Sequence, residues 1–415
     1  RKYETLVPDN EDGDESTEHD AALKLLEEAL GDIPRAEDLH QPASKSRVDG
    51  PFHWIPRYNH ASWKEAQRMS MSMARTTKPP GASAAPPMSS TPSAADVEPV
   101  MALRDSLLLS QRSGTIARQM GMIERELMAS IDWSELSEPS WDQHTVRQEQ
   151  WQLEYQDYVM FRIRQTMNDE PSEGQKDALR QTIHGRGIHM LIARFNRTCA
   201  WVASHIVRSN NIQERVAIVN KFIRIAWHCY RQGNMESLCQ IMFGLQSPWI
   251  ARLQQTWEQV SLWELRAFEA LRRFTSPREQ FAFLRYSMRE AIETNIPSRR
   301  FSPLTTSSSP YVPFFGQFVS DLSVIDSLAS FVDASGMPNT MPLYDDQELS
   351  LSWDALVNVY RLRIKSHIVR EFITLQRCQR QAPAPPMELP ILIEVLQLDT
   401  LSAMAIQSTS LALEP

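Results

Sequence analysis

The sequence predicts an all-α fold, and three observations carry that prediction. Glycine is scarce, 13 in 415 residues, too few for a turn-rich β architecture or for phosphate-cradling glycine loops. Strand-like alternation of apolar and polar residues is nearly absent. Long stretches instead repeat their apolar residues at helical spacing. Val216, Val219, Ile223, Ala226, Trp227 and Tyr230 all fall on one face of a helix.

Taken in order, the chain divides into three regions. In residues 1–100, the segment DNEDGDESTEHD (9–20) is too acidic to bury apolar surface and is expected to be solvated. AALKLLEEALG (21–31) reads as a short amphipathic helix stopped by Gly31. Trp54 and Trp63 lie in an irregular stretch, and KPPGASAAPPMSSTPSAADVEP (78–99) has linker composition. This first region is expected to be an acidic tail, short helix and linker, largely disordered. Residues 101–385 read as one helical domain, with helices over 116–128, 189–207, 216–230, 237–245, 261–274, 278–292 and 354–377. IPSRRFSPLTTSSSPYVP (296–313) interrupts it as a surface loop between helical layers. Residues 386–415 form a C-terminal tail after the hinge APAPP. Its apolar run LPILIEVLQL (389–398) is expected to dock on the domain rather than a membrane, being short and without a basic cluster.

Composition excludes several function classes. A net charge of −8 argues against a general grip on nucleic acid, which needs clustered excess Lys and Arg. Four cysteines are too few for a disulfide framework at this length and fit a reducing, cytoplasmic setting. No run approaches the ~18 apolar residues of a transmembrane helix. The charged start, RKYETLVPDN, is no secretory signal, and its lack of Met is compatible with a fragment. The patterns GxxxxGK[ST], GxGxxG, HExxH, GxSxG and CxxC are absent, so neither cofactor nor metal is expected. His228, Cys229 and Cys239 lack the paired spacing of zinc sites and read as core or boundary residues. A large helical domain without a chemical motif points to protein interaction.

Four segments then become specific. TIARQMGMIERELMASIDWSELSEPSW (115–141) follows the pattern IA.QLT.IE..LF..I...EL....W. RFNRTCAWVASHIVRSNNIQERVAIVNKFIRIAWHCY (194–230) follows FN..S.WV...I.......R...I.KFI.IA. GNMESLCQIMFGLQSPWIARLQQTW (233–257) follows NFN....I..GL.S..I.RL..TW, and PYVPFFGQFVSDL (310–322) follows P.VPFLG.YL.DL. In this order they resemble the catalytic module of Ras-family guanine-nucleotide exchange factors, over roughly residues 108–380. The resemblance implies an all-α domain with a protruding helical hairpin and a Ras-like small GTPase as partner. It also implies accelerated GDP release without bond chemistry, in the cytoplasm, with membrane recruitment through the partner left open. Departures are the long polar stretch between Trp141 and His189 and the lack of a complete helical stabilising domain in residues 1–100. A catalytically degenerate GTPase-binding or scaffold protein of the same fold is the second reading.

Residues 354–377 are the candidate first helix of the hairpin. With Ile364 at zero and ~100° per residue, Tyr360, Ile368, Phe372 and Leu375 lie within ~80° of it. Glu371 falls at about −20°, inside that apolar stripe, where a carboxylate needs a partner. The partner is either a neighbouring arginine such as Arg361 or, as the resemblance implies, the metal and phosphate site of a GTPase. The apolar wedge one turn earlier is then His367 or Ile368. The resemblance further places Phe318 in an apolar pocket for the GTPase, with Val359, Phe268, Val219 and Lys221 bordering the groove. Trp201, Trp257 and Phe195 read as core.

Overall fold

The computed structural model describes residues 13–32, 107–137, 155–161, 187–277, 280–294, 311–333, 336, 356–381 and 386–414. Trp54, Trp63, the linker over 78–99 and most of the 296–313 loop lie outside them. The described residues are overwhelmingly helical. Helix α1 is Gly13–Asp32, α2 Leu107–Ser110, α3 Ser113–Ser130 and α4 Trp133–Ser137. The central helices are α5 (Gly187–Arg208), α6 (Ile212–Arg231) and α7 (Met235–Leu245). Short turns α8 (Pro248–Ala251) and α9 (Gln254–Trp257) lead to α10 (Leu262–Phe274) and α11 (Ala282–Thr294). Then come α12 (Gly316–Asp326), strands β1 (Phe331–Val332) and β2 (Leu356–Val357), and α13 (Val359–Gln381). The chain closes with α14 (Leu389–Gln397) and α15 (Ala403–Leu413).

The centre is α7 packed on α5 and α6, with α3 across α6. Every residue of α7 is buried, the polar Glu236, Ser237 and Gln240 included, so it is a core helix without a solvent face. Gly244 makes its close approach to α5 feasible: a Cβ there would sit 2.8 Å from Val202 Cβ and 2.9 Å from the Cys199 carbonyl. Local signals set the helix starts. Asn211 accepts from Gln213 N at 2.9 Å to cap α6, and Asn234 accepts from Ser237 N at 3.1 Å to cap α7. Trp201 and Phe195 are core residues, as their sequence context predicts. Cys199, Cys229 and Cys239 are buried thiols whose pKa burial pushes up.

Two buried acid groups organise this centre. Arg194 of α5 pairs with Glu124 of α3 at 3.2 Å, both fully buried, and donates a second hydrogen bond to the Val395 carbonyl in α14. A buried pair of this kind gives little net stability, but losing either partner strands a charge. Glu236 of α7 lies beside them; burial, and then the Glu124 charge, push its carboxyl well above the ordinary range.

Both ends of the described chain differ from expectation. The amphipathic pattern predicts a helix from residue 21, yet α1 begins at Gly13 and packs on α10. The acidic stretch is not wholly solvated. His19 is buried, its ring 6.2 Å from Trp263 and 5.2 Å from His228, Glu18 pairs with Arg231, and beyond the stretch Glu27 pairs with Arg266 at 2.8 Å. At the other end, residues 386–414 are built into the body. Ile391, Leu392, Val395 and Leu396 are buried where α14 lies on α3. Glu414 accepts from Gln255 N and Thr256 N at 3.1 and 3.2 Å, satisfying donors at the start of α9, and pairs with Arg215 at 3.6 Å.

Because Glu236 binds a proton more tightly folded than unfolded, its contribution is complete below the ordinary glutamate value of 4.5 and is lost as pH rises through its folded value. Glu236→Gln removes this slope. Its melting temperature relative to wild type should climb as pH rises above the ordinary glutamate value of 4.5 toward the folded value. Parallel melting curves across that range would contradict the assignment.

Candidate functional site

Helices α12 and α13 pack on each other as an antiparallel pair, joined at one end by the β1–β2 ribbon and rooted at the other on α3. Residues 354–377, expected as one helix of the hairpin, fall on α13, which packs on the preceding α12. Their helix starts only at Val359, because Leu356 and Val357 pair with Val332 and Phe331 in a two-residue ribbon. Asn358 closes that ribbon, its N–H and side-chain amide each 2.9 Å from the Ser330 and Ala329 carbonyls.

The root of the hairpin is polar and buried. Gln376 donates to the Met128 and Ile131 carbonyls at 2.8 and 3.0 Å, and Gln379 to the Tyr311 carbonyl at 3.0 Å. Arg125 of α3 reaches the Gln379 carbonyl at 2.9 Å. Above the root the arms are zipped by aromatic rings: Phe372 lies 5.6 Å from Phe315 and 5.3 Å from Phe318, both edge-on. Gly316 starts α12 because a Cβ there would lie 2.2 Å from the Phe314 ring. Towards the tip, Asp326 at the end of α12 takes Arg361 at 2.8 Å and Lys365 at 2.7 Å from α13. Arg361 also donates to the Ile325 carbonyl at 3.2 Å.

Among the described residues, this end of the hairpin carries exposed apolar side chains. Leu328, Phe331, Leu356, Val359, Tyr360 and Leu362 are all exposed, Tyr360 by 68%. Large side chains clustered at one end of a projecting element mark an interaction surface more than scattered ones do.

The sequence-predicted residues distribute unevenly over this frame. The stripe on α13 is real: Ile368, Phe372 and Leu375 are buried against the body and α12, while Tyr360 runs out into solvent. Glu371 is not held by Arg361, which is committed to Asp326. Its carboxylate lies 3.3 Å from His367 Nε2, with side chains 24% and 69% exposed respectively. Twelve residues along α13, it lies about 18 Å below the tip. Phe318 is interior, packed between Phe315 and Phe372, rather than lining an open pocket. Val219 and Lys221 are buried on α6, and the Lys221 ammonium donates to the Gln111 carbonyl. Phe268 lies half-buried on α10, its ring 4.7 Å from Trp257. The structure thus joins Phe318, Ile368, Glu371, His367 and Val359 on one hairpin, and places Val219, Lys221 and Phe268 in a different layer.

Sequence reasoning missed the Asp326–Arg361–Lys365 clamp and the apolar ribbon. Arg361 and Lys365 share a helix face by their spacing, but their acidic partner becomes visible only once α12 is known to lie alongside. No helix among the described residues is long and apolar enough to cross a membrane.

A profile of the RasGEF domain matches residues 115–363. The chain belongs to the RasGEF domain family. The match ends part-way along α13, whereas the packed body continues through α15. Guanine nucleotide exchange factor LTE1 of Kluyveromyces lactis is 26% identical over 217 residues, 52% of this chain and 13% of that protein. Ras guanine nucleotide exchange factor C of Dictyostelium discoideum is 31% identical over 132 residues, 32% of this chain and 8% of that protein. Ras-specific guanine nucleotide-releasing factor 1 of Mus musculus is 27% identical over 222 residues, 53% and 15% respectively. The chain spans a small part of each relative's length.

The clamp gives a local prediction. Asp326→Ala should raise amide exchange over residues 359–365 while costing about 1 kcal/mol or less of global stability, since partly exposed pairs contribute little. Unchanged protection there would show that the clamp does not hold the RasGEF hairpin together.

Proposed function

We propose that this chain is the exchange module of a guanine-nucleotide exchange factor. It would accelerate GDP release from a Ras-like small GTPase by setting the α12–α13 hairpin beside the nucleotide site. The carrying observation is a stiff, polar-rooted hairpin whose free end is apolar. Membership of the RasGEF domain family and the names of the relatives support the partner class.

The catalysis is non-covalent. A protein that binds the nucleotide-free GTPase more tightly than the GDP-bound form must weaken GDP by the same factor. A stiff lever is what converts such binding energy into displacement of a loop. On this hairpin, Val359, Tyr360 and Leu362 would make the apolar contact at the tip. The His367–Glu371 pair would offer polar contact along the flank, where both side chains reach solvent. Phe318 and Ile368 act underneath by stiffening the arms. Val219 and Lys221 hold α6 in place, and Phe268 supports α10.

The test is release of fluorescent GDP from a panel of Ras-like GTPases. Tyr360→Ala with Leu362→Asp should reduce the stimulated rate by about a hundredfold, as expected when buried interface anchors are lost, with the fold intact by circular dichroism. Binding to a nucleotide-free GTPase without acceleration on any panel member would instead favour the scaffold reading. Full exchange activity in the double variant would exclude the hairpin tip as the contact.

A further inference from the structure

Helix α12 begins without a capping side chain of its own. Its N-cap residue is Phe315, which offers no acceptor, and its first turn holds no acidic residue. The early N–H groups of a helix still need partners. One comes from far away in sequence: Glu236 Oε2 accepts from Phe315 N at 2.8 Å. The same turn of α7 is laced to the approach strand of α12. Val312 N donates to the Gly233 carbonyl at 2.9 Å, and Met235 N donates to the Val312 carbonyl at 2.8 Å. Glu236 is fully buried in the centre of the body. It replaces the second asparagine of the pattern NFN that this segment otherwise follows.

We propose that Glu236 is a positioning residue for exchange: as a long-range cap on α12, it fixes the direction of the hairpin relative to the body. This rests on the hairpin reading above. The geometry gives the contact leverage. The free part of the hairpin is about eleven residues, or about 16 Å, so a ten-degree tilt at Phe315 moves the tip by about 3 Å. Misplacements of that size are large against the tolerance of a positioned catalytic contact. The groups facing Glu236 are Glu124 of α3 with its partner Arg194 of α5, Cys199 of α5, and Gln240 and Cys239 of its own helix.

The experiment compares wild type, Glu236→Gln, Glu236→Met and Glu236→Asp in the full chain. Gln keeps an acceptor at the same reach, Met removes it, and Asp withdraws it by one methylene. Glu236→Met should lower the maximal exchange rate about tenfold with little change in KM for the GTPase, while Glu236→Gln restores it to within about twofold. In parallel, spin labels at Leu262→Cys and Leu362→Cys in a Cys378→Ser background report the body-to-tip distance. That distribution should shift or broaden for Met and stay native for Gln. If Glu236→Met proves unfolded by melting, Glu236→Asp carries the same expectations. Native exchange and a native distance distribution in the folded Met or Asp variant would overturn the proposal. A shifted distance with no exchange by wild type on any GTPase would sustain Glu236 as the cap and sink the hairpin reading instead.

Discussion

A hairpin that leaves a protein body has no core under its far end, so everything about its pose is decided where it departs. In this chain that departure is secured by hydrogen bonds from buried side chains to backbone groups. Glu236 holds Phe315, Gln379 holds Tyr311, and Gln376 holds the end of α3. Such bonds are directional where apolar packing is not, and each leaves a costly orphan if it breaks. Apolar contacts could anchor the arms equally firmly, but they would leave their angle softer.

The body behind that root is tied together by buried contacts. α7 is buried on all sides, and the Glu124–Arg194 pair ties three sequence-distant helices together through Val395. The C-terminal helices close over α3 and α5, and Glu414 fixes the last turn at α9. The packed unit is therefore longer than the family match over 115–363. The chain beyond residue 363 supplies both the root of the hairpin and part of the body on which it is set.

Much of this was legible in the sequence, and for physical reasons. Helices with an amphipathic 3.6-residue pattern, such as α5 and α10, appeared within a residue or two of expectation, because their apolar stripe has only one place to go. The family motifs located the centre and the start of α12. Contacts that join elements far apart in sequence were not legible. Periodicity put Glu371 in an apolar stripe but could not show that Arg361 would turn to Asp326 on the other arm. The family resemblance marked Phe318 as important but could not show that Phe372 and Phe315 would enclose it. Val219 and Lys221 carried family resemblance that reflects packing in α6 rather than exposure. The helix at the N-terminus was underestimated because acidic composition was weighed against His19, whose aromatic neighbours lie over two hundred residues away.

Hydrogen–deuterium exchange on the chain, with and without a nucleotide-free Ras-like GTPase, reads the contact surface directly. The account predicts new protection over residues 322–332 and 356–367, the two sides of the hairpin's free end. Protection confined to α1 and α10, with the hairpin unchanged on saturation, would contradict it.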